Sequence, residues 1–364
     1  MSKSLSAALV TGLLALALAP TSVPAQTAMA AGPYKVVNSA KVGGPGSFDY
    51  VYADADGRRL YIPRANHVSV FDLDSLKPVG EISNTIGVHG AVVDSKAQHG
   101  FCSSHPVVMW DTQTLAPIKT IAVEGSPDGI LFDPGTEHVF ILSHRAPNAT
   151  VIDARDGSIV GTIDLGGAPE QGAADGQGHL YFDVEDKDQV AVVDAGSLKV
   201  TAHYDLGGKA SGPAGLALDA KNHILFVCCR NPSTCVILDA GTGRILASLP
   251  IGSGTDGAAF NPNTMEAFSS QGDGTLTVIK ESAPDGFAVE QTVATKVGAK
   301  TCTLDVNTGQ IYLITAEYGP LPAPEAAPAA QTQPASGQAP GQGPRRPRRG
   351  PMLPGSFTIL VVGQ

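Results

Sequence analysis

Apolar and polar positions follow one order many times along the chain: an apolar run ending in Asp or Asn, a turn, a second apolar run, a polar loop, and a third apolar run ending in Asp. The first runs end at Asp54, Asp94, Asp133, Asp175, Asp219, Asn261 and Asp305, spaced 39 to 44 residues apart. The third runs end at Asp72, Asp111, Asp153, Asp194 and Asp239, with Lys280 in the corresponding place of the sixth unit. Second runs such as Leu60-Tyr61-Ile62, Val139-Phe140-Ile141, Leu180-Tyr181-Phe182 and Ile224-Leu225-Phe226-Val227 are rich in β-branched and aromatic residues between Gly, Asp and Asn turns. This pattern predicts short antiparallel strands.

A unit of this length cannot bury its own apolar face, so seven in succession predict a radial array of four-stranded sheets, an all-β seven-bladed β-propeller. The seventh unit has two strands within Thr301–Thr315 and a third at Phe357–Val362, where the chain stops one strand short. Residues Tyr34–Gly44 end in Lys41-Val42-Gly43-Gly44, like the unit endings Asp164-Leu165-Gly166-Gly167 and Asp205-Leu206-Gly207-Gly208. The N-terminal segment is therefore expected to complete the last blade, which closes the ring and removes its open edges.

Third runs such as Val190-Ala191-Val192-Val193-Asp194 and Thr150-Val151-Ile152-Asp153 resemble the YVTN-type repeat of exported bacterial YncE-like propellers, over nearly all of the mature chain. The tetrapeptide itself is not intact. The resemblance implies the fold and no particular activity, since similar propellers serve as lyases, lactonases, electron-transfer subunits and binding proteins. A WD-type repeat is the rival reading; Trp110-Asp111 is the only WD dipeptide.

Composition adds the compartment. Lys3, an apolar run from Leu5 to Ala19, and the stretch Pro20–Pro24 leading to Ala25 have the layout of a secretory signal peptide. Residues 1–30 are read as that peptide, cleaved after Ala25 or Ala30, and 33–364 as one propeller, periplasmic or secreted. No second apolar run is long enough to span a bilayer. With 43% hydrophobic residues, 42 Gly and 27 Pro, disorder and coiled coil are excluded. The formal charge of -10 argues against nucleic acid, which needs a basic footprint.

Candidate chemistry comes from geometry. The residue five places before each first-run mark opens the innermost strand, where the blades converge: Asp49, His89, Asp128, Glu170, Ala214, Asp256 and Lys300. Of these, Asp49, His89, Asp128 and Glu170, on consecutive blades, offer oxygen and nitrogen donors for a divalent metal. Loops between second and third strands open on the same face and carry Arg64, His67, His105, His144, Arg145, Glu185–Asp188, Arg230, Glu317 and Tyr318. Such a funnel suits a small polar ligand, and its bland alternative is a solvated mouth. The Asp residues that end the strands read as turn acceptors. The histidines His99, His138, His179 and His223 before the second strands read as a repeat feature. Gly252-Ser253-Gly254-Thr255-Asp256-Gly257 matches GxGxxG but joins two strands, without the helix a dinucleotide site requires.

Two further features stand apart. Residues 319–355 form a Pro-, Ala- and Gln-rich loop inserted in blade seven, with the basic run Arg345-Arg346-Pro347-Arg348-Arg349, expected to be disordered and open to an anionic partner. Cys228, Cys229 and Cys235 flank one hairpin, and a bond from Cys235 to either of the others is expected in an oxidising compartment; Cys102 and Cys302 read as buried thiols. The expected function is non-enzymatic binding, by a monomer, of a small polar ligand or an exported protein partner. Two alternatives stay open: a metal-assisted hydrolase or lactonase at the central channel, and a docking subunit for another exported protein. The cofactor is none or a divalent metal, and no catalytic base is identifiable.

Overall fold

Each repeat unit forms one blade in the computed structural model, whose described residues are 32–282, 286–321 and 350–364. The seven sheets are four-stranded and antiparallel, each running from the axis outward in chain order except the last. Blade 1 comprises Tyr52–Asp54, Arg59–Arg64, His67–Asp72 and Pro78–Ser83. In blade 7 the strands Cys302–Asp305, Gln310–Thr315 and Thr358–Gly363 are joined by the N-terminal strand Lys35–Lys41 on the outside, with Lys35 opposite Gly363 and Lys41 opposite Thr358. The expected closure is therefore present. Residues 1–30, where the signal peptide is expected, and Arg345–Arg349 lie outside the described residues, and among the described residues no helix is long and apolar enough to cross a membrane.

The strand-ending acids are turn acceptors throughout. Asp54 takes the amide of Gly57 at 2.9 Å, Asp219 that of Lys221 at 2.9 Å, and Asp72 that of Ser75 at 2.8 Å. Seven residues after each first-strand mark stands an aromatic side chain: Tyr61, Phe101, Phe140, Phe182, Phe226, Phe268 and Tyr312. All are fully buried. They sit in apolar layers between neighbouring blades, one of which joins blade 7 to blade 1 through Tyr312, Phe357, Ile62 and Phe71. The core is thus a ring of inter-blade seams, and the outermost strands, such as Ile159–Ile163, stay largely exposed.

Two expectations are refined. The long loop of blade seven is narrower than its composition predicts, because Tyr318 bridges Met352, Gly319 donates to the Pro351 carbonyl at 2.8 Å and Leu353 to that of Glu317 at 2.8 Å. Backbone pairing orders these ends where side-chain composition offers little. All five cysteines are buried free thiols; Cys235 stands opposite Cys228, with the two Sγ atoms 3.3 Å apart.

Candidate functional site at the funnel mouth

The innermost strands approach so closely at the axis that a side chain has little room beside the ring positions. A Cβ on Gly129 would lie 2.3 Å from the Glu170 carbonyl, so Asp128 is followed by glycine. In blades 3, 4 and 6 the pairing with the second strand slips at this point, between Pro127 and Ile130, Pro169 and Gly172, and Thr255 and Ala258. A bulge of this kind re-aims a side chain, and here it turns Asp128, Glu170 and Asp256 to the axis.

The backbone around them is pinned. The Ser103 hydroxyl donates to the Asp128 carbonyl and accepts from Gly90 N at 2.8 Å; Ser270 donates to the Lys300 carbonyl at 2.6 Å and Thr301 to that of Asp49 at 2.8 Å. Each clamp joins one blade to the next, so the mouth is held rigidly by the sheet scaffold.

The side chains form a closed ring of alternating acids and bases. Asp49 Oδ2 lies 2.9 Å from His89 Nδ1, which lies 3.1 Å from Asp128 Oδ1. Asp128 Oδ2 is 3.1 Å from His144 Nε2, and that nitrogen is 3.7 Å from Glu170 Oε1. Glu170 Oε1 is 3.8 Å from Arg230 Nη2; Arg230 pairs with Asp256 and Glu185, and Asp256 with Lys300. Lys300 Nζ closes the circle 3.5 Å from Asp49 Oδ1.

The two halves differ in chemistry. Arg230 and Lys300 bring a guanidinium and an ammonium group that pair with carboxylates at the side of blades 5 to 7. On blades 1 to 4 the bases are imidazoles, which can serve as metal ligands instead. Asp49, His89 and Asp128 form one group whose donor atoms lie within 4.8 Å of one another; Asp128, His144 and Glu170 form a second. Glu170 is 3% exposed and its Oε1 has no hydrogen-bond partner. A pocket of about 240 Å³, lined by Asp49, His89, Ser126, Pro127, Asp128 and His144, opens above these groups.

Beside the ring, two side chains reach across to other blades. Tyr50 reaches from blade 1 to blade 4 and donates to Glu170 Oε2 and its carbonyl, both at 3.1 Å. Gln171 ties blades 4, 5 and 6, accepting from Leu216 N at 3.0 Å and Ala258 N at 3.1 Å. Burial first, and the carboxylates of Glu170, Asp128 and Asp49 after it, hold the Tyr50 phenol well above its usual range. Fully buried Asp183, which accepts from Gln171 N at 2.6 Å, is pushed up to about 8 by burial and then by the charge of Glu170. Burial and the neighbouring Glu170 raise Glu185 to about 7.

Of the positions singled out in sequence, Asp49, His89, Asp128, Glu170, Asp256, Lys300 and His144 are thus brought together. Ala214 leaves a gap in blade 5 that Arg230, from the end of the strand Ile224–Asn231, fills. Arg64 is no part of the ring: it is buried, its Nη atoms donate to the carbonyls of Gly43, Gly44, Pro45 and Gly46, and it stacks on Phe357. His67 bonds Asn66 and Ser69, while His105 and Arg145 are exposed, and none of the three makes a contact with the ring in the described interactions. Tyr50, Gln171 and Asp183 carry no signal in the sequence, since nothing in the repeat marks a residue that crosses the axis.

Fold and mouth together define the class, a seven-bladed β-propeller with a charged funnel. No family model matches the chain, and no curated protein matches it in sequence. Among solved structures it is similar to a chain of Kuenenia stuttgartiensis hydrazine synthase, with a TM-score of 0.65 and 17% identity over 74% of this chain and 92% of that one. A chain in a crystal structure of the mitotic checkpoint complex gives a TM-score of 0.67 and 14% identity over 84% and 96%. At these identities the likeness is one of fold.

Proposed function

We propose that this chain is an exported propeller of the YVTN, YncE-like type that binds a divalent cation at its funnel mouth and, through it, a small polar ligand. The observation that carries the reading is the pair of imidazoles flanking one carboxylate, His89 Nδ1 and His144 Nε2 each 3.1 Å from an oxygen of Asp128. Mixed imidazole and carboxylate donors suit Zn²⁺ or Mn²⁺ better than the all-oxygen shells of Ca²⁺ or Mg²⁺.

A merely solvated mouth has no need of clamped carbonyls, recurrent bulges and a buried Glu170 oxygen without a hydrogen bond. Together these features amount to a preorganised donor set supported from behind. The pocket above leaves room for water or for an oxygen donor of a ligand on the metal. Export rests on the pattern of residues 1–30 and on the repeat resemblance.

Calorimetric titration of the metal-free mature protein with Zn²⁺, Mn²⁺ and Ca²⁺ tests the proposal. Zn²⁺ and Mn²⁺ should bind more tightly than Ca²⁺, and a His89→Ala, His144→Ala variant that folds as the parent should lose at least 100-fold in affinity, about 2.7 kcal/mol. Undiminished binding by that variant, or none by the parent, would overturn it.

A further inference from the structure

We infer that the mouth holds two cations, not one, bridged by the carboxylate of Asp128. This rests on the reading of the ring as a cation site. The five donor residues fall into two groups that share Asp128, and not into a single group of mutually close atoms. Ligand atoms sit roughly 2.0–2.2 Å from a Zn²⁺ ion, so two donors of one ion are at most about 4.4 Å apart. Donors outside that span need a second ion.

Asp128 is placed to serve both. Its Oδ1 faces His89, which also meets Asp49, and its Oδ2 faces His144, which also meets Glu170. Each side thus has one imidazole, one carboxylate of its own and one oxygen of the shared carboxylate. The buried Glu170 Oε1 makes no hydrogen bond, and its nearest bases, His144 and Arg230, stand 3.7 and 3.8 Å off, which leaves room at this oxygen for a cation on the second side. Two divalent ions exceed the charge of Asp49, Asp128 and Glu170, so the loaded centre is positive and takes an oxyanion, such as a phosphate or carboxylate group, across the pair.

Mn²⁺ is the probe. The metal-free mature protein, titrated with Mn²⁺, should take up two ions per chain and show the electron paramagnetic resonance spectrum of a spin-coupled pair. His144→Ala should keep one ion, on the Asp49 and His89 side, with the spectrum of an isolated ion. His89→Ala should keep one on the other side, and inorganic phosphate should bind the loaded parent and not the metal-free protein. A parent that binds one ion, or two without coupling, overturns the bridged pair and leaves the single-cation reading standing. A parent that binds none overturns both.

Discussion

The guanidinium of Arg64 lies 3.7 Å over the ring of Phe357, while its Nη atoms donate to the carbonyls of residues 43–46, at 2.8 Å for Gly44 and Pro45. Phe357 precedes the last strand of the chain, and Gly43–Gly46 follows the N-terminal strand paired with it. Arg64, on blade 1, therefore locks the seam where the ring closes. Burial lowers it to about 10, still a cation at neutral pH. Arg64→Ala removes the hydrogen bonds to these carbonyls along with the stacking on Phe357, and should cost about 2–4 kcal/mol. Arg64→Lys should recover only part, having no planar fork. Chemical denaturation measures both; a change under about 0.5 kcal/mol would contradict the lock.

The aromatic ring of second-strand residues makes a different claim, that stability resides in the seams between blades. Phe140→Ala should cost roughly 3–5 kcal/mol, through lost transfer energy and the cavity left behind. Val160→Ala, on an outer strand with Val160 46% exposed, should change stability by less than about 0.5 kcal/mol. Equal losses would place the core elsewhere.

Glu281 supplies a pH dependence away from the mouth. Asn222 Nδ2 donates to Asp219 at 2.8 Å and to Glu281 at 3.1 Å, which sets two carboxyl groups side by side. Burial first, and then the charge of Asp219, raise Glu281 to about 7. A carboxyl raised on folding keeps the fold's full stability below its unfolded value of about 4.3 and loses it as pH climbs through the folded one. Stability should therefore fall between about pH 4 and pH 7, by about 1 kcal/mol once solvent screening of this part-exposed group is allowed for. In Glu281→Gln that share of the slope should be lost, leaving the part that Asp183 and Glu185 contribute, and at pH 8 the variant should unfold at higher denaturant than the parent. A parent and variant with the same pH profile would contradict the assignment.

Cys228 and Cys235 are direct cross-strand neighbours, whereas Cys229 faces Thr234. In an oxidising compartment the bond should close between Cys228 and Cys235, with Cys229 left as a thiol. A short closed loop adds about 2 kcal/mol by the chain-entropy argument. Thiol titration of the denatured, unreduced exported protein should find three of the five thiols, and a count of five would contradict the pairing.

The fold was legible because its signals are local and repeated. A strand ending at Asp54 or Asp219 and an aromatic second strand recur at a period that only a radial array accommodates. Counting five places back from each mark also found Asp49, His89, Asp128, Glu170, Asp256 and Lys300. His144 was legible only as a loop histidine, and Arg230 as a loop cation, since which of several loops folds over the axis depends on hairpin geometry. Arg64 looked the same as those two in sequence, and its burial against Phe357 arises from a contact between residues far apart in the chain. Tyr50 and Gln171 were invisible because the repeat specifies what each blade does for itself, and these residues act on the blades opposite.

The most direct test of the cation site is elemental analysis of the protein purified from its native compartment without added chelator, beside a His89→Ala, Asp128→Ala variant prepared in the same way. The account predicts stoichiometric Zn or Mn in the parent, and a variant of the same fold from which that metal is gone. A parent without metal, or a variant that retains it in full, would contradict it.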